Sequence, residues 1–142
     1  MPAVPIHYLD VRAFCYATED ESRVEMAIRT LLPEDASIER DTSEGHYGDR
    51  ILVMHARLER ADEIRHVLGL LREMPTFDRV HTEIEERMDE DCAFFLRLDK
   101  QRAYQGEVAL GHGIQLRGKI EAYPASREAA IENLRSYLEA TS

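Results

Sequence analysis

Residues 7–17 read His-Tyr-Leu-Asp-Val-Arg-Ala-Phe-Cys-Tyr-Ala, and every second side chain of this stretch is apolar and small to medium in size. One set comprises Leu9, Val11, Ala13, Cys15 and Ala17, and the intervening set comprises Tyr8, Asp10, Arg12, Phe14 and Tyr16. This period of two predicts a β-strand with one face on a core. The other face, which carries rings and charges, is predicted to lie outside that core.

The rest of the chain predicts helices and further strands around this first strand. Thr18 and Glu21 form a capping-box pattern ahead of a helix that Pro33 ends. Further strands are predicted over 37–40, 50–58, 93–98 and 113–123, with glycine-bearing hairpin loops at 44–49 and 106–113. Helical patterns fill the intervals 64–71, 77–88, 101–105 and 126–138. The pattern favours one α+β domain over residues 1–142, with an antiparallel-rich sheet and helices packed on one face.

The composition is acidic and poor in lysine. The 142 residues include 28 acidic and 18 basic side chains, which give a net charge of −10, and only Lys100 and Lys119 among the basic residues are lysines. Such a surface is typical of proteins from concentrated salt, so we expect a halophilic source. No apolar run is long enough for a membrane span and no signal peptide is recognised, which predicts a cytoplasmic protein without a membrane partner.

The sequence carries no recognisable catalytic or metal-binding motif. It lacks G-x-S-x-G, P-loop, G-x-G-x-x-G and H-E-x-x-H patterns. The run 89–91 is acidic without the spacing of a calcium loop, and Cys15 and Cys92 are not a C-x-x-C pair. We therefore predict a protein without enzymatic activity, metal or cofactor. One enzymatic alternative stays open, in which His46 and His112 from the two glycine loops act together.

The predicted outer face of the sheet is rich in arginine and aromatic side chains. Aromatic rings and guanidinium planes suit unstacked RNA bases, and arginine also binds phosphate through two parallel hydrogen bonds. The candidate RNA-binding residues are Tyr8, Arg12, Phe14, Tyr16, Arg97, Lys100, Arg102, Arg117 and Lys119. The same features are typical of a dimer interface, so a homodimeric protein-interaction module without RNA contact is the second interpretation.

Three stretches resemble a known protein family. They are His7-Tyr8-Leu9-Asp10-Val11-Arg12-Ala13-Phe14, Glu44-Gly45-His46-Tyr47-Gly48-Asp49-Arg50-Ile51 and Phe94-Phe95-Leu96-Arg97-Leu98-Asp99-Lys100-Gln101. They resemble an archaeal family of small proteins described as predicted RNA-binding proteins or exosome subunits. The resemblance implies a fold similar to the ribosomal protein that binds 5S ribosomal RNA, and a homodimer. It also implies RNA and exosome subunits as partners, and it brings no catalytic residues.

Overall fold

A five-stranded, fully antiparallel sheet forms the frame of the structure, a computed structural model that describes residues 3–44 and 48–140. The strands are β1 (Ile6–Tyr16), β2 (Glu39–Glu44), β3 (Arg50–Leu58), β4 (Ala93–Asp99) and β5 (Gly113–Ile120). Their order across the sheet is β2-β3-β1-β5-β4, so the stretch with the clearest alternation occupies the centre. The predicted α+β class and antiparallel sheet are confirmed.

The helices are α1 (Glu21–Leu31), α2 (Ala61–Arg72), α3 (Phe77–Thr82), α4 (Lys100–Tyr104) and α5 (Arg127–Ala140). Each of the longer helices buries one apolar stripe, as the helical periodicity predicts. These stripes pack on the sheet face that carries Leu9, Val11 and Ala13, which are 4, 0 and 0% exposed. The small side chain of Ala13 leaves room for this packing at the middle of the sheet. No described helix is long and apolar enough to cross a membrane.

The first helix starts differently from the prediction. Asp20, not Thr18, is the N-cap residue, and its carboxylate accepts hydrogen bonds from Ser22 N at 2.9 Å and Ser22 Oγ at 2.6 Å. Thr18 lies instead in a turn closed by the hydrogen bond from Glu19 N to Tyr16 O. The capping-box prediction was wrong because this turn takes up the residues directly after β1.

Other element boundaries shift by a few residues. β2 starts at Glu39, whereas the strand was predicted over 37–40, and all six of its residues are exposed. β5 ends at Ile120, three residues before the predicted end. The predicted loop 44–49 falls partly outside the described residues, because 45–47 are not described. Cys15 and Cys92 are buried free thiols, and burial, followed by the charge of Glu19, raises the pKa of Cys15.

Candidate nucleic-acid interface

The sheet face opposite the helices is called here the open face. It presents alternate side chains of every strand, and its members are Tyr8, Asp10, Arg12, Phe14, Tyr16, Glu39, Asp41, Ser43, Ile51, Val53, His55, Arg57, Phe95, Arg97, Asp99, Gln115, Arg117 and Lys119. The helices cover only the other side, since Arg12, Arg97 and Gln115 at the centre of the open face are exposed. The sequence predicted this exposure from the alternation of the separate strands that carry these residues.

One straight row of polar side chains crosses all five strands of the open face. The strand register pairs Glu39 with His55, His55 with Arg12, Arg12 with Gln115, and Gln115 with Arg97. Neighbouring strands lie about 4.8 Å apart, so Arg12 and Arg97 project from backbones roughly 10 Å apart. Within residues 3–44 and 48–140, neither guanidinium forms an ion pair or a side-chain hydrogen bond. Both are therefore available to an external anion.

A second group of open-face side chains is braced internally. The Arg57 guanidinium donates to both carboxylate oxygens of Asp10, at 2.8 and 3.0 Å, and lies 4.0 Å from the centre of the Tyr8 ring. Arg117 Nη1 donates to the Tyr8 hydroxyl at 3.0 Å. The hydrogen bond to Asp10 also raises the pKa of Arg57. Tyr8 and Arg117, both predicted RNA contacts, thus belong to a hydrogen-bonded cluster in which the Arg57 guanidinium covers one face of the Tyr8 ring.

Three of the predicted RNA-binding residues already have partners within the structure. Lys100 Nζ donates to Phe14 O at 2.6 Å and to Glu19 Oε1 at 2.7 Å, and its side chain is only 11% exposed. Arg102 lies on α4 and pairs with Glu107 at 3.5 Å, and Lys119 Nζ donates to the carbonyl oxygen of Asp91. Lys100 stays a predicted RNA-binding residue, and in the structure its ammonium ties β1 to the residues ahead of α1.

Glu19 completes this tie. Desolvation works to raise the pKa of Glu19, but hydrogen bonds from Lys100 and from the Tyr16 N–H outweigh it, and the pKa is lowered. The carboxylate is therefore held in its charged form beside the ammonium. Partly buried pairs of this kind leave a costly unsatisfied group when one partner is removed. The role of Lys100 in the molecule is accordingly to fix the end of β1.

The open face also contains a hydrophobic part. The apolar corner is formed by Phe14, Tyr16, Ile51 and Val53, since Phe14 pairs with Val53 and Tyr16 with Ile51 in the β1–β3 register. Tyr16 is 50% exposed, and the other three are half-buried. Phe14 and Tyr16 were predicted to stack on bases, and the structure places both here, beside the row that contains Arg12. Apolar contact area is thus combined with free guanidinium groups on one surface.

Charge is unevenly distributed over the open face. The β2 edge carries Glu39 and Asp41, and Asp41 Oδ2 lies 2.6 Å from His55 Nε2. The basic residues lie on β3, β1, β5 and β4. The sequence analysis missed this uneven distribution of charge because it predicted the short strand over 37–40, which leaves Asp41 outside the sheet. A polyanion is therefore repelled from the β2 edge and directed toward β1, β5 and β4.

A cavity of about 550 Å³ adjoins the open face at the outer edge of β4. Phe95, Arg97 and His112 line it. Phe95 is 42% exposed, and the β4 alternation already placed it beside Arg97, but the cavity itself depends on the segments that follow α3 and precede β5. His46 lies outside the described residues, so its pairing with His112 stays a prediction. Among the described residues, no group of three or more potential metal ligands is present.

Together, the fold and this surface define an α+β protein with a one-sided antiparallel sheet whose uncovered face carries free arginines and aromatic rings. A family model described as RNA binding matches residues 8–120, which include all of β1 to β5 except the first two residues of β1. The chain belongs to this RNA-binding family.

Individual relatives agree with this assignment. The chain is 38% identical over 144 residues to the RNA-binding protein PAB1135 of Pyrococcus abyssi, with 94% of each chain covered. Among solved structures, it is similar to Mth689, a DUF54 protein from Methanothermobacter thermautotrophicus, with 40% identity, a TM-score of 0.80 and coverage of 94% of this chain and 98% of that one. The structure of AF2318 from A. fulgidus has a TM-score of 0.84 at 33% identity, with 92% and 98% covered.

Proposed function

We propose that this protein binds single-stranded RNA on the open face and does so without catalysis. The observation that carries the proposal is the row His55–Arg12–Gln115–Arg97, in which two exposed guanidinium groups have no partner among the described residues. Arg12 and Arg97 bind phosphates, and Gln115 between them offers an amide to bases or ribose. Family membership supports RNA as the ligand.

The geometry favours single strands over duplexes. An uncovered sheet face presents rings and planar guanidinium groups to bases that are already unstacked, whereas bases in a duplex are stacked on one another. Tyr16 and Phe95 are the exposed aromatic side chains of the open face, at 50% and 42%. They lie on β1 and β4, so a strand that crosses β5 between them contacts both rings and both free arginines.

The strongly acidic chain requires a mode of binding that tolerates salt. Each phosphate neutralised on a single strand contributes about −0.7 to the slope of log K against log salt. Two free arginines therefore give a slope of about −1.4, which corresponds to a loss of roughly 25-fold for a tenfold rise in salt. A halophilic source would fit this shallow salt dependence, with stacking and directional hydrogen bonds from arginine as the sources of affinity.

Fluorescence anisotropy tests the proposal. A labelled single-stranded RNA of about twelve nucleotides covers a surface of this size. We expect saturable binding with the shallow salt slope given above, and weaker binding of a duplex of the same sequence. Absence of saturable binding at low salt, or equal binding of duplex and single strand, would contradict the proposal.

A second function is favoured by one observation, the apolar corner. Four partly exposed apolar side chains side by side on a sheet suit a protein interface, and a second copy of the chain is the partner implied by the family resemblance. We expect light scattering to report a dimer for the wild type and a monomer for a Phe14→Asp, Tyr16→Asp variant. A dimer that survives both substitutions would place the interface elsewhere.

The more specific implications of the resemblance stay predictions. An accessory role at the archaeal RNA exosome would make exosome subunits partners of this protein. The resemblance also predicts a fold similar to that of the ribosomal protein that binds 5S ribosomal RNA. Both follow from the resemblance alone. Co-purification with exosome subunits after nuclease treatment would support a direct exosome contact, since RNA bridging is removed by that treatment.

A further inference from the structure

The outer edge of β4 is only partly covered. Near the start of β4, Phe95 N donates to Arg87 O at 2.9 Å. Two residues further along the same edge, Arg97 O accepts a hydrogen bond from Gly111 N at 3.2 Å. The flanking segments are therefore hydrogen-bonded to the edge at residues 95 and 97, and they leave an interval between them. The cavity of about 550 Å³ lies at this interval, because residues of both segments line it.

Two main-chain groups of β4 face this interval. In a β-strand, the N–H and the C=O of the same residue point to the same side. Phe95 N–H and Arg97 C=O point away from β5, so Phe95 C=O and Arg97 N–H point away from β5 as well. Neither has a hydrogen-bond partner in a loop or side chain within the described residues. An acceptor at residue i followed by a donor at residue i+2 matches a planar ring that presents a donor next to an acceptor. The Watson–Crick edge of a nucleobase has this arrangement.

The side chains around the interval complete a site for a base. Phe95 is 42% exposed, with the Arg117 guanidinium 5.8 Å from the centre of its ring, and Arg97 offers a guanidinium without a partner among the described residues. Arg87 Nε is buried without a hydrogen-bond partner in that same part of the chain, while its Nη2 lies 3.2 Å from Glu83. The cavity is also lined by Glu86 and Asp89 and by Arg79 and Arg87, both of which pair with Glu83. Charges of both signs therefore surround the interval, and the exposed Arg97 guanidinium is the unpaired group beside it that can take a phosphate.

We infer that the cavity at the β4 edge binds one base of a single-stranded RNA. The base lies against the Phe95 ring, its Watson–Crick edge pairs with Phe95 C=O and Arg97 N–H, and the adjoining phosphate contacts the Arg97 guanidinium. This inference rests on the proposed function, since the strand reaches the cavity by crossing the open face. It adds a site that holds one base by its edge to a surface that otherwise contacts the strand through stacking and phosphate contacts.

The absence of tryptophan from the chain supplies a direct test. A Phe95→Trp variant has a single indole, and a base stacked on it quenches its fluorescence. We expect quenching when unlabelled single-stranded RNA of about twelve nucleotides is added. A Tyr104→Trp variant is the control, because Tyr104 lies on α4 beside Arg23, and its fluorescence should stay unchanged. Equal quenching of the two variants would overturn the inference.

Binding constants of matched variants separate this inference from the proposed function. We expect Phe95→Ala to weaken RNA binding roughly tenfold, and Phe95→Trp to keep the affinity within about threefold. Arg12 does not line the cavity, and Arg12→Ala should also weaken RNA binding. If Arg12→Ala weakens binding and Phe95→Ala does not, the base site is wrong and RNA binding on the open face stands. If neither has an effect, both are wrong.

The quenching assay also distinguishes a base within a strand from a free nucleotide. Adenosine 5′-monophosphate lacks the additional contacts of a strand on the open face, so it should quench the Phe95→Trp variant only at concentrations at least about tenfold higher than the RNA. Quenching at equal or lower concentration would overturn the assignment to a strand.

Discussion

An Arg12→Glu, Arg97→Glu variant should bind single-stranded RNA about 100-fold more weakly than the wild type. Both guanidinium groups are exposed and unpaired among the described residues, so their substitution removes no internal contact. The change in affinity therefore reflects the contacts that are lost with the RNA. Hydrogen bonds to charged groups contribute about 1.5–3 kcal/mol each, and two of them correspond to a factor of about 100 or more. Reversal of charge adds repulsion of the phosphates. Anisotropy titration measures the effect.

The matched control places the same change of charge on the helical layer. Arg65→Glu, Arg135→Glu lowers the net charge equally, but the two residues lie on α2 and α5, away from the open face. We expect this variant to bind within about threefold of the wild type, because charges on the helical layer that are farther away than a Debye length of about 10 Å are screened. An equal loss in both variants would show that overall charge, not the row of side chains, governs binding.

Gly113→Ala should be the most destabilising substitution among the described glycines, with a loss of about 3 kcal/mol in the free energy of unfolding. Gly113 has φ +107°, a conformation that side chains rarely adopt, and the methyl group of an alanine would lie 2.6 Å from Lys100 Cβ. Lys100 cannot move away freely, because its N–H donates to His112 O at 2.9 Å and its ammonium ties β1. Urea denaturation measures the change.

Gly69→Ala is the opposite case. Gly69 lies within α2, and no described atom outside its own helix backbone and chain neighbours lies within 4 Å of the position that its Cβ would take. Alanine is favoured over glycine in a helix by about 0.5–1 kcal/mol, so this variant should be more stable than the wild type.

A Gly113→Ala protein as stable as the wild type would contradict the described geometry of the β4–β5 connection.

The fold was largely predictable because its signals are local. The alternation of residues 7–17 placed β1 on a core and left its other face outside, and the predicted strand over 50–58 is β3 without change. The start of α1 was not predictable from the capping pattern, because a turn after β1 moved the cap to Asp20. The six exposed residues of β2 carry no hydrophobic pattern, which explains the shift of that strand.

The site was predictable only in part, because it depends on strand order and on partners distant in sequence. Alternation assigned Arg12, Arg97 and Arg117 to the right face. It could not show that Arg117 is bonded to Tyr8, 109 residues away, or that Lys100 is bonded to Phe14 O, 86 residues away. The cavity at the β4 edge was missed for the same reason, since its walls come from three separate segments of the chain.

Mapping of amide chemical-shift changes by NMR, during titration with single-stranded RNA, tests the central claim most directly. The open face should respond as one surface, with the largest changes at residues 12, 95, 97 and 115 on β1, β4 and β5 and small changes on α2 and α5. Changes confined to the helices, or absent from β1 and β5 at saturating RNA, would contradict the account.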